Sequence, residues 1–364
     1  MKTPKVVLIM AGGTGGHIFP GLAIAKIMRQ RGWSVQWLGA PDSMESRLVP
    51  EQGFVFNAIE FSGVRGKGWF PLLQLPWHLC KAFWQSIDTL RKLKPQIVIG
   101  FGGYVTFPTG VITVLMGKSL LLHEQNAIAG MSNRVLALMT KHVFTAFPHV
   151  FKAGIYVGNP MRIEFTQQVP PDRRYASRQG PLRLLVMGGS LGAKALNELI
   201  PRALSRIPLE CRPEVTHQGG EKQFQDLLMQ YQKANVNANL TPFITNPAQA
   251  LAHADLVICR AGASTVSEIA AIGVAALFIP FPYAVDDHQT QNAHFLSQHG
   301  AAMCVQQKNL TIDFLINLLQ HTEREKLAEF AIRAKAMQKI EASEKIADAC
   351  DALVIKAQSK GEAV

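Results

Sequence analysis

The first turn of this chain constrains it most. Gly12-Gly13-Thr14-Gly15-Gly16-His17 lies between an apolar run, Val6-Val7-Leu8-Ile9-Met10, and an amphipathic one that begins at Pro20. The order predicts strand, glycine turn and helix. Glycines at 12, 13, 15 and 16 let the main chain approach a ligand closely, and the first N–H groups of the following helix favour an anion there.

The pattern recurs. Short apolar segments at 35–39, 54–59, 96–100 and 119–122, then at 182–187, 214–217, 256–259 and 275–279, alternate with helical patterns. Such alternation predicts α/β structure, with parallel sheets covered on both faces. Leu184-Leu185-Val186-Met187-Gly188-Gly189-Ser190 echoes Leu8-Ile9-Met10-Ala11-Gly12-Gly13-Thr14, so two Rossmann-like domains in tandem are expected. At 364 residues, 48% hydrophobic, the chain is large enough for both. We place the first domain at 1–163 and the second at 164–341, with a polar, proline-bearing stretch at 166–181 just after the crossing. The last helical run, within 342–364, carries Ile346, Ala349, Leu353 and Ala357 on one face and is expected to pack back on the first domain. Open parallel sheets bind ligands outside the carboxyl ends of their strands. The turns at 12–16, 102–103 and 188–192 are therefore expected to line a cleft between two facing domains.

Charge narrows the partners. Residues 1–163 hold 17 Lys and Arg against 6 Asp and Glu, whereas residues 164–364 hold 20 against 20. The whole excess of +11 lies in the first half, which should face something negative. That half has no run of Lys and Arg interleaved with aromatics, so nucleic acid is not the expected partner. Cysteines 80, 211, 259, 304 and 350 form no CxxC pair and are odd in number, which suggests a reduced, cytoplasmic setting. The apolar run after Lys5 is too short for a signal peptide. The uncharged stretch 96–117 holds Gly100, Gly102, Gly103, Pro108 and Gly110, and reads as strand, turn and helix rather than a membrane span.

Familiar nucleotide motifs fail here. Gly13-x-Gly15 is followed by Ile18 where a dinucleotide fingerprint needs glycine, and Gly117-Lys118-Ser119 has Ile112 at the P-loop's first glycine position. No Asp-x-Asp occurs, and the adjacent Asp286-Asp287 would diverge, so neither metal nor cofactor is expected. An enzyme that expels a nucleoside diphosphate without metal must hold the leaving charge with helix N-termini and a cation. The turns at 188–192 and 260–265 offer such termini, and Arg162, after Gly158-Asn159-Pro160, offers the cation.

In combination these motifs are more specific. Gly12 to His17, Gly102-Gly103-Tyr104, His123-Glu124-Gln125-Asn126-Ala127, Gly158-Asn159-Pro160-Met161-Arg162, Gly188-Gly189-Ser190-Leu191-Gly192-Ala193, Arg260-Ala261-Gly262-Ala263-Ser264-Thr265 with Glu268, and Asp287-His288-Gln289 with Asn292 occur in one order along nearly the whole chain. In this the sequence resembles the GT-B glycosyltransferases, in particular those of bacterial cell-wall synthesis. The resemblance implies inverting, metal-independent transfer of GlcNAc from UDP-GlcNAc to the 4-hydroxyl of undecaprenyl-pyrophosphoryl-linked MurNAc-pentapeptide. It further implies that Glu268 bonds the ribose, that the backbone of Ile244 reads uracil, and that Ser190, Thr265 and Arg162 hold the diphosphate. Ala263, Ser264, Val266 and Ser267 complete that helix turn. Gln289 and Asn126 would meet GlcNAc hydroxyls, with Thr14, Gly15 and Gly16 also on the donor. Gly13, Tyr104 and His123 would meet the acceptor. A base is needed. His17 sits at a helix N-terminus whose field keeps imidazole neutral and able to take a proton; Glu124 is the competing candidate.

The stretch 69–93 connects the charge to the acceptor. Gln74, His78, Lys81 and Gln85 share a narrow polar arc, while Leu72, Leu75, Trp77, Leu79, Phe83, Trp84 and Ile87 spread over about 200°, roughly twice a surface helix's apolar stripe. Pro76 is expected to start or kink this helix. Leu75, Trp77, Leu79, Phe83 and Trp84, flanked by Arg65, Lys67, Lys81, Lys118 and Lys141, predict a face that dips into an anionic bilayer, each basic residue adding about 1 kcal/mol. The resemblance then implies a peripheral protein on the cytoplasmic face of the bacterial membrane, with other cell-wall synthesis and division proteins as neighbours. Two alternatives stay open: another glycolipid-forming transferase, and a UDP-GlcNAc epimerase of the same fold, which would need no acceptor.

Overall fold

A computed structural model describes residues 5–61, 70–189 and 192–359. The chain divides into two units, Met1–Met161 with Ile340–Val364, and Arg162–Lys339.

The first unit runs β1 (Val6–Met10), α1 (Gly15–Gln30), β2 (Ser34–Gly39), α2 (Met44–Glu51), β3 (Val55–Ala58), α3 (Phe70–Leu93), β4 (Ile97–Gly100), α4 (Thr106–Leu115), β5 (Ser119–Glu124), α5 (Met131–Leu136), β6 (His142–Thr145) and β7 (Ile155–Tyr156). Its sheet has the order β3-β2-β1-β4-β5-β6-β7, every neighbour pair parallel. Alternate residues of β1 feed cores on opposite faces. Val7 and Ile9 pack with Ile18, Leu22 and Met28 of α1, whereas Leu8 and Met10 pack with Ala82 and Leu90 of α3 and Ile112 of α4. A strand buried on both faces must be apolar throughout, which is why residues 6–10 show no alternation.

The second unit runs α6 (Pro171–Ala176), β8 (Arg183–Met187), α7 (Lys194–Leu204), β9 (Glu214–Gln218), α8 (Phe224–Ala234), β10 (Asn239–Thr241), α9 (Pro247–His253), β11 (Leu256–Cys259), α10 (Ala263–Ile272), β12 (Ala275–Phe278), α11 (His288–Ser297), β13 (Met303–Cys304), α12 (Ile312–His321) and α13 (Arg324–Ala336). The sheet order is β10-β9-β8-β11-β12-β13, again parallel. Asp255, fully buried before β11, takes Arg178 at 2.5 Å, Arg324 at 3.1 Å and the Arg183 N–H at 2.9 Å, so a buried charge gains the partners it needs.

Strands β6, β7, β10 and β13 lie outside the segments expected from the sequence. They have two to four residues each, too few to show a period, and stand at or next to sheet edges. In each sheet the order reverses once, between β1 and β4 and between β8 and β11. The loops leaving those four strands are the glycine turns singled out above, and a switch point of this kind is where doubly wound sheets bind ligands.

The last helix, α14 (Ala342–Ser359), belongs to the first unit. It buries Ile346, Ala347, Cys350 and Val354 in the core that holds Met28 and Trp33, with Ala349 and Leu353 partly covered, so its buried face is turned slightly from the expected one. Arg31 pairs with Asp348 at 2.8 Å, Asp351 at 3.0 Å and Glu344. Although burial acts the other way, these carboxylates raise the Arg31 pKa further. Among the described residues no helix is long and apolar enough to cross a membrane.

Candidate functional site

In the first unit the site is built on the loops after β1 and β4. Gly103 has a positive φ of 87°, and a Cβ there would stand 2.5 Å from the Gly12 carbonyl oxygen, so only glycine lets the two loops meet. Thr14 caps α1 by position and is exposed; Gly15, Gly16 and His17 form the first helical turn and are half-buried. His17 Nδ1 lies 3.1 Å from the Gly12 oxygen and 3.4 Å from Thr14 Oγ1. A carbonyl only accepts, so Nδ1 carries the proton and Nε2 is the basic nitrogen. Tyr104 closes one side, its ring edge-on to Phe61 at 6.4 Å, and its phenol pKa is raised by burial and by Glu45.

Two expectations for this unit change. His123 is fully buried, with Nε2 donating to the Gly158 oxygen at 3.0 Å and Nδ1 accepting from Gln125 at 3.2 Å. Burial pushes its pKa down to about 4, so it is a neutral tether between β5 and the 158–160 segment, with no ring atom turned to an acceptor. Glu124, 2% exposed, accepts from the Asn126 N–H at 2.9 Å, Asn126 Nδ2 at 3.3 Å, the Gly130 N–H at 3.0 Å and Asn133 Nδ2 at 2.9 Å. With both oxygens engaged it organises the loop before α5 and aims Asn126; this geometry does not suit a base. The Gly13 N–H donates to Glu45 Oε2 at 3.2 Å and is thereby spent, while the residue itself is exposed.

Glu45 was not foreseen. It is fully buried in the first turn of α2, and nothing in residues 42–46 announces a partner 32 positions away.

In the second unit the loops after β8 and β11 take the equivalent place. Gln218 donates to the Gly189 oxygen at 3.0 Å and the Pro242 oxygen at 3.1 Å, tying three loops together. Ser190 lies outside the described residues. Helix α10 begins after Gly262 with no acid in its first turn, and Ser264 Oγ is buried without a hydrogen-bond partner. A buried orphan hydroxyl beside free helix N–H groups suits an anionic oxygen. Ala263 and Val266 are buried; Thr265, Ser267 and Glu268 are half-buried on the same helix. Burial pushes Glu268 up to about 7, with Arg162 pulling the other way, so the two side chains share one field. Arg162 lies 5.2 Å from the Phe165 ring. Gln289 accepts the Phe281 N–H at 2.9 Å through Oε1, which turns its amide N–H groups outward. Asn292 donates to the Ala261 oxygen at 3.2 Å and braces the turn. Ile244 is half-buried in the loop after β10. Arg260, quoted in the motif but given no role, donates to the Ile279 and Pro280 oxygens at 3.0 and 3.2 Å and to Gln307, fastening β11 to the end of β12.

Helix α3 divides the five residues expected to face a membrane. It runs unbroken from Phe70, so Pro76 lies inside it and does not start it. Leu75, Leu79 and Phe83 are partly buried against the core, whereas Trp77 and Trp84 are 74% and 70% exposed. Spaced seven apart, the two tryptophans share a face. Lys81 is paired with Glu60 at 2.6 Å and Lys118 donates to the Pro95 oxygen at 3.2 Å, so neither is an unengaged charge; Arg65 and Lys67 lie outside the described residues. Leu115, Met131 and Leu138, on and beside α4 and α5, are also exposed, and were not foreseen.

The chain matches the glycosyltransferase family 28 N-terminal domain over residues 7–145 and the glycosyltransferase family 28 C-terminal domain over residues 183–351. It is 58% identical over 353 residues to the UDP-N-acetylglucosamine–N-acetylmuramyl-(pentapeptide) pyrophosphoryl-undecaprenol N-acetylglucosamine transferase of Paracidovorax citrulli, covering 97% of this chain and 99% of that protein. It is also 58% identical over 358 residues to the protein of the same description from Polaromonas naphthalenivorans, with the same coverage. Among solved structures it resembles Acinetobacter baumannii MurG, with a TM-score of 0.81 and 39% identity over 96% of this chain and 99% of that one. The two parallel-sheet units together with this likeness give the GT-B fold.

Proposed function

The chain belongs to glycosyltransferase family 28, and we infer from its curated relatives that it is an N-acetylglucosaminyltransferase of peptidoglycan synthesis. It transfers GlcNAc from UDP-GlcNAc to the MurNAc of undecaprenyl-pyrophosphoryl-linked MurNAc-pentapeptide, forming the disaccharide lipid. The observation that carries this is the near full-length, 58% identity to transferases of that description.

The site chemistry supports an order of roles. In the second unit the N-terminus of α10, Ser264, Thr265 and Arg162, with Ser190, hold the diphosphate as it becomes the leaving group. Glu268 accepts both ribose hydroxyls, Ile244 presents its backbone to uracil, and Gln289 donates to a GlcNAc hydroxyl through its outward amide. In the first unit His17 Nε2 takes the proton from the acceptor 4-hydroxyl as that oxygen attacks the anomeric carbon, UDP departs with the bonding pair, and the configuration inverts. Asn126, aimed by Glu124, adds a contact to GlcNAc. The exposed tryptophans of α3 in a half-chain of strong positive charge support peripheral attachment to an anionic, cytoplasm-facing membrane, where the lipid acceptor resides.

The test is UDP release in EDTA from UDP-GlcNAc, with and without the lipid acceptor. Acceptor-dependent release with a disaccharide lipid as product is expected. Donor isomerised without acceptor would instead identify an epimerase.

A further inference from the structure

The Gly12 carbonyl and the Gly13 N–H belong to one planar peptide unit. On its N–H side stands Glu45, whose Oε2 accepts from Gly13 at 3.2 Å; on its C=O side stands His17, whose Nδ1 donates to Gly12 at 3.1 Å. Glu45 Oε1 is held by the Ala40 N–H at 3.1 Å, which fixes the plane of the carboxylate. Room for the acid has been made in the main chain: a Cβ at Gly12 would collide with Oε1, and one at Gly39 would lie 2.6 Å from Cγ. Among the described residues, its hydrogen-bonding partners are main-chain N–H groups, an expensive way to bury a carboxylate unless the charge is used.

We propose that Glu45 is a positioning residue for the base, holding His17 with its proton on Nδ1 and supporting the imidazolium formed during transfer by polarising the Gly12–Gly13 peptide between them. A charged acceptor on a peptide N–H draws that proton toward itself and leaves more negative charge on the carbonyl oxygen. The stronger acceptor selects the Nδ1–H tautomer, leaves Nε2 as the basic nitrogen, and bonds more tightly once the ring is charged. The arrangement does what a carboxylate bonded directly to a histidine does, with one peptide interposed.

Among the described residues, other groups also face this pair. Tyr104 faces Glu45 from the turn after β4. On the His17 side stand Thr14 Oγ1, the backbone of Gly102, where a Cβ would lie 3.2 Å from Nε2, and beside it the amide of Asn133, which donates to Glu124. Of these, Glu45 reaches Nδ1 through the peptide, and Glu124 is reached through Asn133.

The inference rests on His17 being the base, and the experiment separates the two ideas. Imidazole 15N NMR of the intact native enzyme should show His17 protonated at Nδ1; protonation at Nε2 overturns the proposal without any variant. Glu45→Gln, checked for folding by circular dichroism and UDP-GlcNAc binding, should lower kcat about tenfold, a part of the roughly 10²–10⁴ that a general base contributes. KM for UDP-GlcNAc should stay within about twofold, the acid inflection of the kcat profile should move to lower pH, and the His17 tautomers should mix. A slower Glu45→Gln enzyme with unmoved inflection and tautomer would leave Glu45 a merely structural residue. Near-normal turnover by His17→Ala would remove the base reading and with it the catalytic part of the proposal, while the tautomer and its response to Glu45→Gln, measured without turnover, would still test the positioning by itself.

Discussion

Burial pushes the Glu268 carboxyl up to about 7 while Arg162 pulls it down, so in the ligand-free protein the acid is only partly ionised near neutrality. A ribose diol donates two hydrogen bonds, and the ionised form accepts both. In the proposed ribose role, the apparent kcat/KM for UDP-GlcNAc should therefore fall below pH 7, and Glu268→Gln should remove that part of the acid limb, leaving the part due to His17, while raising KM roughly 30-fold, the equivalent of about 2 kcal/mol for a charge-assisted contact. Stability runs the other way. A carboxyl raised from about 4.5 to about 7 favours the folded state at low pH, and that contribution is lost as pH rises through this window. Glu268→Gln should thus melt higher than the native protein at pH 8 and less differently at pH 4, as read by calorimetry. The helix that carries Glu268 was legible as a glycine turn after an apolar strand, whereas the role expected of the residue came only from the family resemblance. Glu45 and the burial of His123 were not legible, because the partners that define them, Gly13 and Gly158, lie 32 and 35 residues away.

Helix α3 allows stability to be tested apart from the proposed surface attachment. Leu90 and Ala82 are fully buried, Ser86 bonds Thr109 of α4 at 2.8 Å, and the tryptophans stand on another face. Leu90→Ala should destabilise the first unit by about 2–5 kcal/mol and leave vesicle binding intact below the melting range. Trp77→Ser with Trp84→Ser should change stability by about 0.5 kcal/mol or less. The same pair should weaken flotation with anionic vesicles by about tenfold per tryptophan, since each buried aromatic contributes about 1.5–3 kcal/mol. Equal binding of the double variant and the native protein would place attachment elsewhere, on the exposed Leu115, Met131 and Leu138 among others. The composition of α3 was readable as over-apolar for one contact. Which residues met the core was not, since a helix bearing apolar groups over 200° can turn either edge inward at similar cost, and the packing of α4 decides.

At the scale of the molecule, α14 makes the first unit discontinuous in sequence. Its Ile346, Ala347, Cys350 and Val354 are buried in the core, and its acids hold Arg31 and, through Asp351 at 3.1 Å, the Trp33 indole. Ending the chain at Lys339 should cost the first unit a large share of the 5–15 kcal/mol typical of a domain and abolish its transition in calorimetry at 37 °C. UDP-GlcNAc should still bind the second unit, with Kd changed by about threefold or less; loss of that binding would show that the two units do not fold separately. The alternation of apolar strands and helices, the restart at Leu184 and the glycine turns were determined by the sequence, because each is a local pattern read within one strand–loop–helix length. The order of the strands, and with it the two switch points that bring turn 12–16 to turn 102–103 and Gly188-Gly189 to turn 260–262, was decided only by tertiary structure. So were the short edge strands, the core that receives α14, and the peptide that joins Glu45 to His17. These depend on which surfaces meet across tens or hundreds of residues, and burial, not local pattern, selects them.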